Sequence, residues 1–220
     1  VDHLDPSGSI AEAAFRAGSL SRRALLVTAV GGGASLALAP LGASGKGARA
    51  QDTAILNFAL TLEYLQAAFY SEAERRKALT GDNAGAAKLI GAIERAHVAA
   101  LVGLLGRDAG PSPFFDFQGT TEDDDKFVKT SVGFEDFSAA AYQGALTQLN
   151  APALVSGAAS IHTVEARHAA WLRFLQGLQP ATRGLDDPID AVEATRLVKS
   201  TGFIRPRART ETSSAPPFAG

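Results

Sequence analysis

Four segments of the chain carry apolar side chains at helical spacing, and turn residues separate them. The pattern predicts four helices, at about 51–80, 84–107, 120–149 and 150–178. Asp52 is the predicted N-cap of the first helix, and Pro152 is expected in the first turn of the fourth. Four long helices and no predicted strand indicate an all-α fold, an up-down four-helix bundle.

The connections between these helices differ in length. Gly81-Asp82-Asn83 is a short turn, whereas 109–121 is a long crossing between the second and third helices that contains Phe114, Phe115 and Phe117. After Pro180, residues 186–200 are predicted to form a short fifth helix capped by Asp186 or Asp187. The final segment, 205–220, is predicted to be an extended tail. The expected domains are a 51–180 bundle and a 181–220 extension.

A glutamate interrupts the apolar stripe of the first and third helices. Glu63 is surrounded by apolar residues at helical offsets, and Glu135 lies on one face with Val128, Val132 and Ala139. A buried carboxylate is costly unless a cation or hydrogen bonds compensate it. For one such residue considered alone, an edge carboxylate or a salt bridge is the simpler explanation.

The second and fourth helices each carry Glu-x-x-His, namely Glu94 with His97 and Glu165 with His168. A spacing of three residues places both side chains on one helix face. With Glu63 and Glu135 they form the ligand set of a carboxylate-bridged two-metal centre, and oxygen and imidazole donors suit two iron or manganese ions, iron being preferred.

The alternative is a bundle core with buried ion pairs. The nearest basic residues in sequence, Arg95 and Arg167, each adjoin a ligand-face residue and therefore project about 100° away from that face.

Three further residues lie close to this set in the helical pattern. His162 is three residues before Glu165, and we expect a hydrogen-bonding or surface role for it instead of a metal-ligand role. Tyr70 and Tyr142 each follow a core glutamate by two turns, and such tyrosines are usually core residues with one satisfied hydroxyl. Tyr70 is nevertheless the candidate catalytic residue, through a redox or proton-relay role.

The amino-acid composition limits which side chains could bind a metal ion or form a cross-link. The chain has no Cys and no Met, which excludes disulfides, thiolate sites and thioether ligands. Its 23 acidic and 21 basic side chains give a net charge of −2, which offers no reason to propose nucleic-acid binding.

The first 50 residues differ from the rest of the chain. Arg22-Arg23 precedes an uncharged run, 24–41, and Ala48-Arg49-Ala50 has the small-x-small pattern of a cleavage site. We therefore predict a 1–50 twin-arginine export signal and a periplasmic or extracellular protein. The alternative is an uncleaved membrane anchor, which the Gly31-Gly32-Gly33 run and Pro40 oppose because they weaken a spanning helix.

Four sequence stretches together resemble the ferritin-like, desiccation-related protein family. They are Leu56-Asn57-Phe58-Ala59-Leu60-Thr61-Leu62-Glu63-Tyr64-Leu65, Glu94-Arg95-Ala96-His97-Val98, Phe134-Glu135-Asp136 with Ala141-Tyr142, and Ile161-His162-Thr163-Val164-Glu165-Ala166-Arg167-His168. The wider superfamily includes bacterioferritin and manganese catalase. The resemblance implies a ferritin-like bundle in which Glu94 and Glu165 bridge two metals, Glu63 and Glu135 are terminal ligands, and His97 and His168 bind one metal each. It also places Tyr70 close to the site.

Two classes of function follow as expectations. The first is an oxidoreductase, ferroxidase-like or catalase-like, that acts on dioxygen, peroxide or ferrous iron. The second is a non-enzymatic stress-associated or structural protein that uses the bundle for assembly. A small-molecule monooxygenase is a third and weaker alternative. The expected partners are metal ions and small oxidants, and self-association into a homo-oligomer stays open.

Overall fold

A computed structural model describes residues 45–205 of the chain. Most of the predicted export signal, 1–44, lies outside the described residues. The predicted tail also lies outside them from residue 206 onward.

Four long helices form the body of the protein. They are α1 (Lys46–Arg76), α2 (Gly81–Leu105), α3 (Asp124–Leu146) and α4 (Pro152–Leu175). The closest packing is of α1 against α2 and of α3 against α4, while α1 also touches α3 and α2 touches α4. Short connections join the members of each pair, as expected for antiparallel neighbours. The predicted all-α four-helix bundle is confirmed.

Helix α1 begins earlier than the sequence indicated, and its predicted cap was wrong. Gly45 is the N-cap, so the predicted cleavage motif at 48–50 lies in the first turns of the helix. Asp52 lies inside α1 with 4% of its surface exposed. Its carboxylate accepts hydrogen bonds from the backbone and side chain of Asn150 and from the backbone of Ala151. It therefore holds the connection between α3 and α4, a role that local spacing does not reveal.

The long crossing between α2 and α3 contains a 3₁₀ turn, Gly106–Asp108, and a two-residue strand β1, Phe114–Phe115. This strand pairs antiparallel with β2, Ile204–Arg205, which follows the fifth helix. Helix α5 spans Ala191–Ser200 and starts later than predicted. The cap is Asp190, not Asp186 or Asp187, and its carboxylate accepts from the backbones of residues 192 and 193.

The segment after α4 packs on the bundle. Ala194 and Val198 of α5 are buried in the core, and the ring of Phe203 packs edge-on against Phe117 and Phe134. The segment also lies against Gly144 of α3, where a Cβ atom would lie far inside van der Waals contact with the carbonyl oxygen of Ile189.

Within the described part of the chain, Gly81–Asp108 is long and apolar enough to cross a membrane by length and composition alone. This is weak evidence, because helices in protein cores pass the same test. Here the stretch places Glu94 and His97 in the interior of the bundle.

Candidate metal centre

The structure brings together all six side chains that the sequence selected as metal ligands. The four carboxylates are fully buried, each with 0% of the residue exposed, and the imidazoles of His97 and His168 are 12% and 7% exposed. Each helix contributes from its middle turns, where side chains of all four helices meet. The set comprises Glu63, Glu94, His97, Glu135, Glu165 and His168.

These side chains form two overlapping groups. One group consists of Glu63, Glu94, His97 and Glu165, and the other of Glu94, Glu135, Glu165 and His168. Within each group, one ligand atom per residue lies within 4.8 Å of all the others. Glu94 and Glu165 belong to both groups, and only such shared carboxylates could bridge two ions.

Distances around His97 match those between ligands of a common ion. Its Nδ1 is 3.3 Å from Glu63 Oε2, 3.3 Å from Glu94 Oε2 and 3.2 Å from Glu165 Oε1. Adjacent ligands of an octahedral ion with bonds of about 2.1 Å are separated by about 3.0 Å. At the second group, His168 Nδ1 lies 3.1 Å from oxygens of both Glu94 and Glu135.

Several buried atoms at this centre lack a hydrogen-bond partner among the described residues. They include Glu63 Oε2, Glu94 Oε1 and Glu165 Oε1. Each oxygen lies within 3.3 Å of an imidazole Nδ1, but the Nδ1 of His97 pairs with Glu94 Oε2 and that of His168 with Glu135 Oε2. Orphaned buried carboxylate oxygens are costly. A cation between oxygens and nitrogen would satisfy them, so the residues present fit a pair of metal ions.

The electrostatics of the carboxylates reflect burial. Desolvation raises the pKa of Glu63 to about 7, although the His97 imidazole, 3.3 Å from Glu63 Oε2, opposes that rise. Desolvation also raises the pKa of Glu135, and the charges of Glu94 and Glu165 add to it. Burial therefore favours the protonated form of Glu63 and Glu135.

The two imidazoles respond in the opposite sense to their burial. Desolvation alone would lower their pKa values, but the surrounding carboxylates outweigh it. The carboxylates of Glu135 and Glu94, each 3.1 Å from its Nδ1, raise the pKa of His168 to about 10, and those of Glu165, Glu63 and Glu94 raise the pKa of His97 well above its usual range. Protons on the imidazoles thus supply the positive charge that metal ions would replace.

Two tyrosines reach from one helix to another and bind the two outer carboxylates, Glu63 and Glu135, which each belong to only one of the two groups. Tyr70 on α1 donates to Glu135 Oε1 on α3 at 2.5 Å, and Tyr142 on α3 donates to Glu63 Oε1 on α1. Burial raises the pKa of both phenols well above the usual value, so both remain donors. The sequence indicated that both tyrosines lie near the site. It did not indicate that each binds the glutamate of the other helix. A catalytic role for Tyr70 stays a prediction.

Gln66 is a site residue that the sequence analysis missed. It is 2% exposed, and its Nε2 donates to Glu165 Oε2 at 3.2 Å. The available signal was its position, one turn after Glu63 on the ligand face of α1, where a polar side chain in an apolar stripe requires a partner.

His162, Arg95 and Arg167 lie outside the cluster of six side chains. His162 Nδ1 is 3.0 Å from the carbonyl oxygen of Ala139, and His162 belongs to neither group found in the described chain. Arg95 binds Glu74 and Ser71, while Arg167 is exposed. These arginines therefore do not neutralise the four buried carboxylates.

Comparison with curated proteins found no match. A family model described as a ferritin-like domain matches residues 51–178, a range that contains all six clustered side chains and nearly the whole four-helix bundle. The order of the ligands along the helices agrees with that assignment. The chain therefore belongs to the ferritin-like domain family.

Proposed function

We propose that this protein is exported and holds two iron or manganese ions in its bundle, where they react with dioxygen, peroxide or ferrous iron. The observation that carries the proposal is the pair of overlapping ligand groups with fully buried Glu94 and Glu165 in common. In a structural ion pair, each buried carboxylate needs a cationic side chain of its own. A carboxylate that belongs to two ligand groups can instead bind two adjacent metal ions.

The donor set supports this choice of metal. Four carboxylates with two neutral imidazoles carry four negative charges, which neutralise two divalent ions. Oxygen and imidazole nitrogen donors without sulfur suit iron and manganese, and iron is the first choice for an oxidoreductase of this fold.

The chain's own residues have distinct tasks at this centre. Glu63, Glu135 and the imidazoles would each hold one ion, and Glu94 and Glu165 would hold both. Tyr70 and Tyr142 fix the orientation of the outer carboxylates through their hydrogen bonds. When bound as a ferrous pair, the ions would supply the two electrons that, with two protons, reduce one hydrogen peroxide to two waters.

Metal analysis followed by turnover assays tests the proposal. We expect two iron or manganese ions per chain, together with either oxygen consumption on adding ferrous iron or decay of added hydrogen peroxide. Glu94→Gln keeps the side-chain shape but removes a bridging charge, and it should lower both metal content and rate. Glu122→Gln, at an exposed position outside the site, is the matched control. A chain that binds no metal would contradict the proposal.

Export is supported by the Arg22-Arg23 pair and the apolar run that follows it. Expression of the full chain with Arg22 and Arg23 both changed to Lys tests this. The unchanged chain should reach the periplasm, and the Lys variant should stay in the cytoplasm. Equal distribution of the two would refute the twin-arginine route.

A non-enzymatic role is the second candidate, because the clustered ligands come from all four helices. Bound ions would then cross-link the bundle and raise its melting temperature without turnover. Two bound ions, a large thermal stabilisation and no oxygen or peroxide consumption would favour this structural role over the redox proposal.

A further inference from the structure

The two halves of the centre follow the same pattern. On α1, Glu63 is followed by Tyr70, and on α3, Glu135 is followed by Tyr142, with each tyrosine bonded to the glutamate of the other helix. Helices α2 and α4 likewise correspond through Glu-x-x-His. One half can therefore be compared with the other, position by position.

The halves differ at the residue one turn after the first glutamate. On α1 this residue is Gln66, which reaches across the bundle to Glu165 on α4. On α3 it is Ser138, whose side chain ends two heavy atoms sooner. Glu94 on α2 is the counterpart of Glu165 on α4. Ser138 therefore corresponds to Gln66, and Glu94 corresponds to the carboxylate that Gln66 binds.

The Ser138 hydroxyl is buried and lacks a hydrogen-bond partner among the residues that the structure describes. The residue is 0% exposed, and its Oγ has no hydrogen-bond partner within 45–205. Ser131, two turns earlier on α3 and equally buried, instead donates to the carbonyl oxygen of Val128. A buried hydroxyl that does not bond to its own helix requires another partner, because an unsatisfied polar group is costly.

The carboxylate in the corresponding position is also unsatisfied. Glu165 Oε2 receives the Gln66 amide and Glu94 Oε2 pairs with His97 Nδ1, while Glu165 Oε1 and Glu94 Oε1 both lack a hydrogen-bond partner among the described residues. The halves therefore differ in the donor one turn after the first glutamate, which is a bonded amide in one half and a short hydroxyl without a described partner in the other.

We propose that Ser138 anchors a small exogenous oxygen ligand, namely water, hydroxide or a peroxide, beside the cation position formed by Glu94, Glu135, Glu165 and His168. Gln66 fills the corresponding place at the other position, so the two cation positions are unequal and only one accepts an outside ligand. This inference rests on the proposed two-metal function and specifies where its small substrate binds.

Azide is a suitable probe, since it is a small anion that accepts hydrogen bonds and gives ferric sites a charge-transfer absorption band. The full chain loaded with iron and oxidised should bind one azide. Ser138→Ala removes the hydroxyl and should weaken azide binding at least threefold while leaving the iron content at two. Ser138→Gln should weaken it at least tenfold by occupying the place. Ser131→Ala, a buried serine on the same helix, is the matched control and should leave azide affinity unchanged.

Three results would overturn the inference while sparing the two-metal function. They are two irons without azide binding in the unchanged chain, less than threefold weakening in Ser138→Ala, or an equal weakening in Ser131→Ala. Because Ser138→Ala only removes one buried oxygen, it keeps the test valid even where Ser138→Gln does not fold. Failure of the unchanged chain to take up two metal ions would instead contradict the proposed function, and this inference with it.

Discussion

Metal binding should release protons, because the carboxylates hold protons on the imidazoles of the metal-free site. The perturbation is the addition of two manganous ions per chain at about pH 7.5 under argon. A ligating Nδ1 must be deprotonated, so each imidazole gives up one proton on binding. His97 and His168 both have pKa values above this pH, that of His168 at about 10.

The structure sets the size of the release. The two imidazoles contribute about two protons, and Glu63, with a pKa of about 7, adds about a quarter of one at this pH. Glu135, whose pKa burial raises, contributes up to one more. We expect about two to three protons per chain. By linkage, lowering the pH by one unit should reduce the overall constant for filling both positions about 100-fold or more.

Titration calorimetry in buffers of different ionisation enthalpy measures the proton count directly. His168→Ala should lower the count by about one. His162→Ala, which changes an imidazole outside the cluster, should leave it unchanged. Release of less than one proton on binding two ions would refute the assignment of both imidazoles as ligands.

Three further outcomes are expected. Gly144→Ala should lower the free energy of unfolding by about 1–3 kcal/mol, because the added Cβ clashes with residue 189. Gly133→Ala has open space around the added Cβ and should raise that free energy by up to about 1 kcal/mol. Chemical denaturation measures both. Tyr142→Phe removes the donor to Glu63 and should weaken metal binding about 10- to 100-fold by equilibrium dialysis; unchanged affinity would contradict that role. Folding raises the pKa of Glu63 from 4.5 to about 7 and that of His168 from 6.5 to about 10. The contribution of each group to the stability of the metal-free fold is complete below its unfolded pKa and is lost as the pH rises through its folded pKa. Melting temperatures in chelator should therefore fall between about pH 4.5 and pH 10, and a rise would contradict the sign.

The sequence could predict the bundle and the candidate cluster because both depend on local periodicity. Apolar spacing located the helices, and a glutamate in each stripe, with histidine three residues later in two of them, identified the six side chains that the structure brings together. A helix fixes which side chains share a face, so the inward direction of a residue follows from its neighbours. These inferences needed no knowledge of how the helices pair.

Features that depend on pairing could not be predicted in this way. The exchange of partners between Tyr70 and Tyr142 is set by the approach of α1 to α3. The reach of Gln66 to α4 likewise depends on the packing of the whole bundle. Asp52 looked like a cap because its partners are 98 and 99 residues away. The two short strands pair across about 90 residues and carry no periodic signal of their own.

The central claim is that two metal ions share Glu94 and Glu165 inside the bundle. Anomalous X-ray diffraction from crystals of the metal-loaded chain, recorded at the iron and manganese absorption edges, tests it most directly. Two peaks are expected, one among Glu63, Glu94, His97 and Glu165 and the other among Glu94, Glu135, Glu165 and His168. A single peak, or peaks away from these side chains, would contradict it.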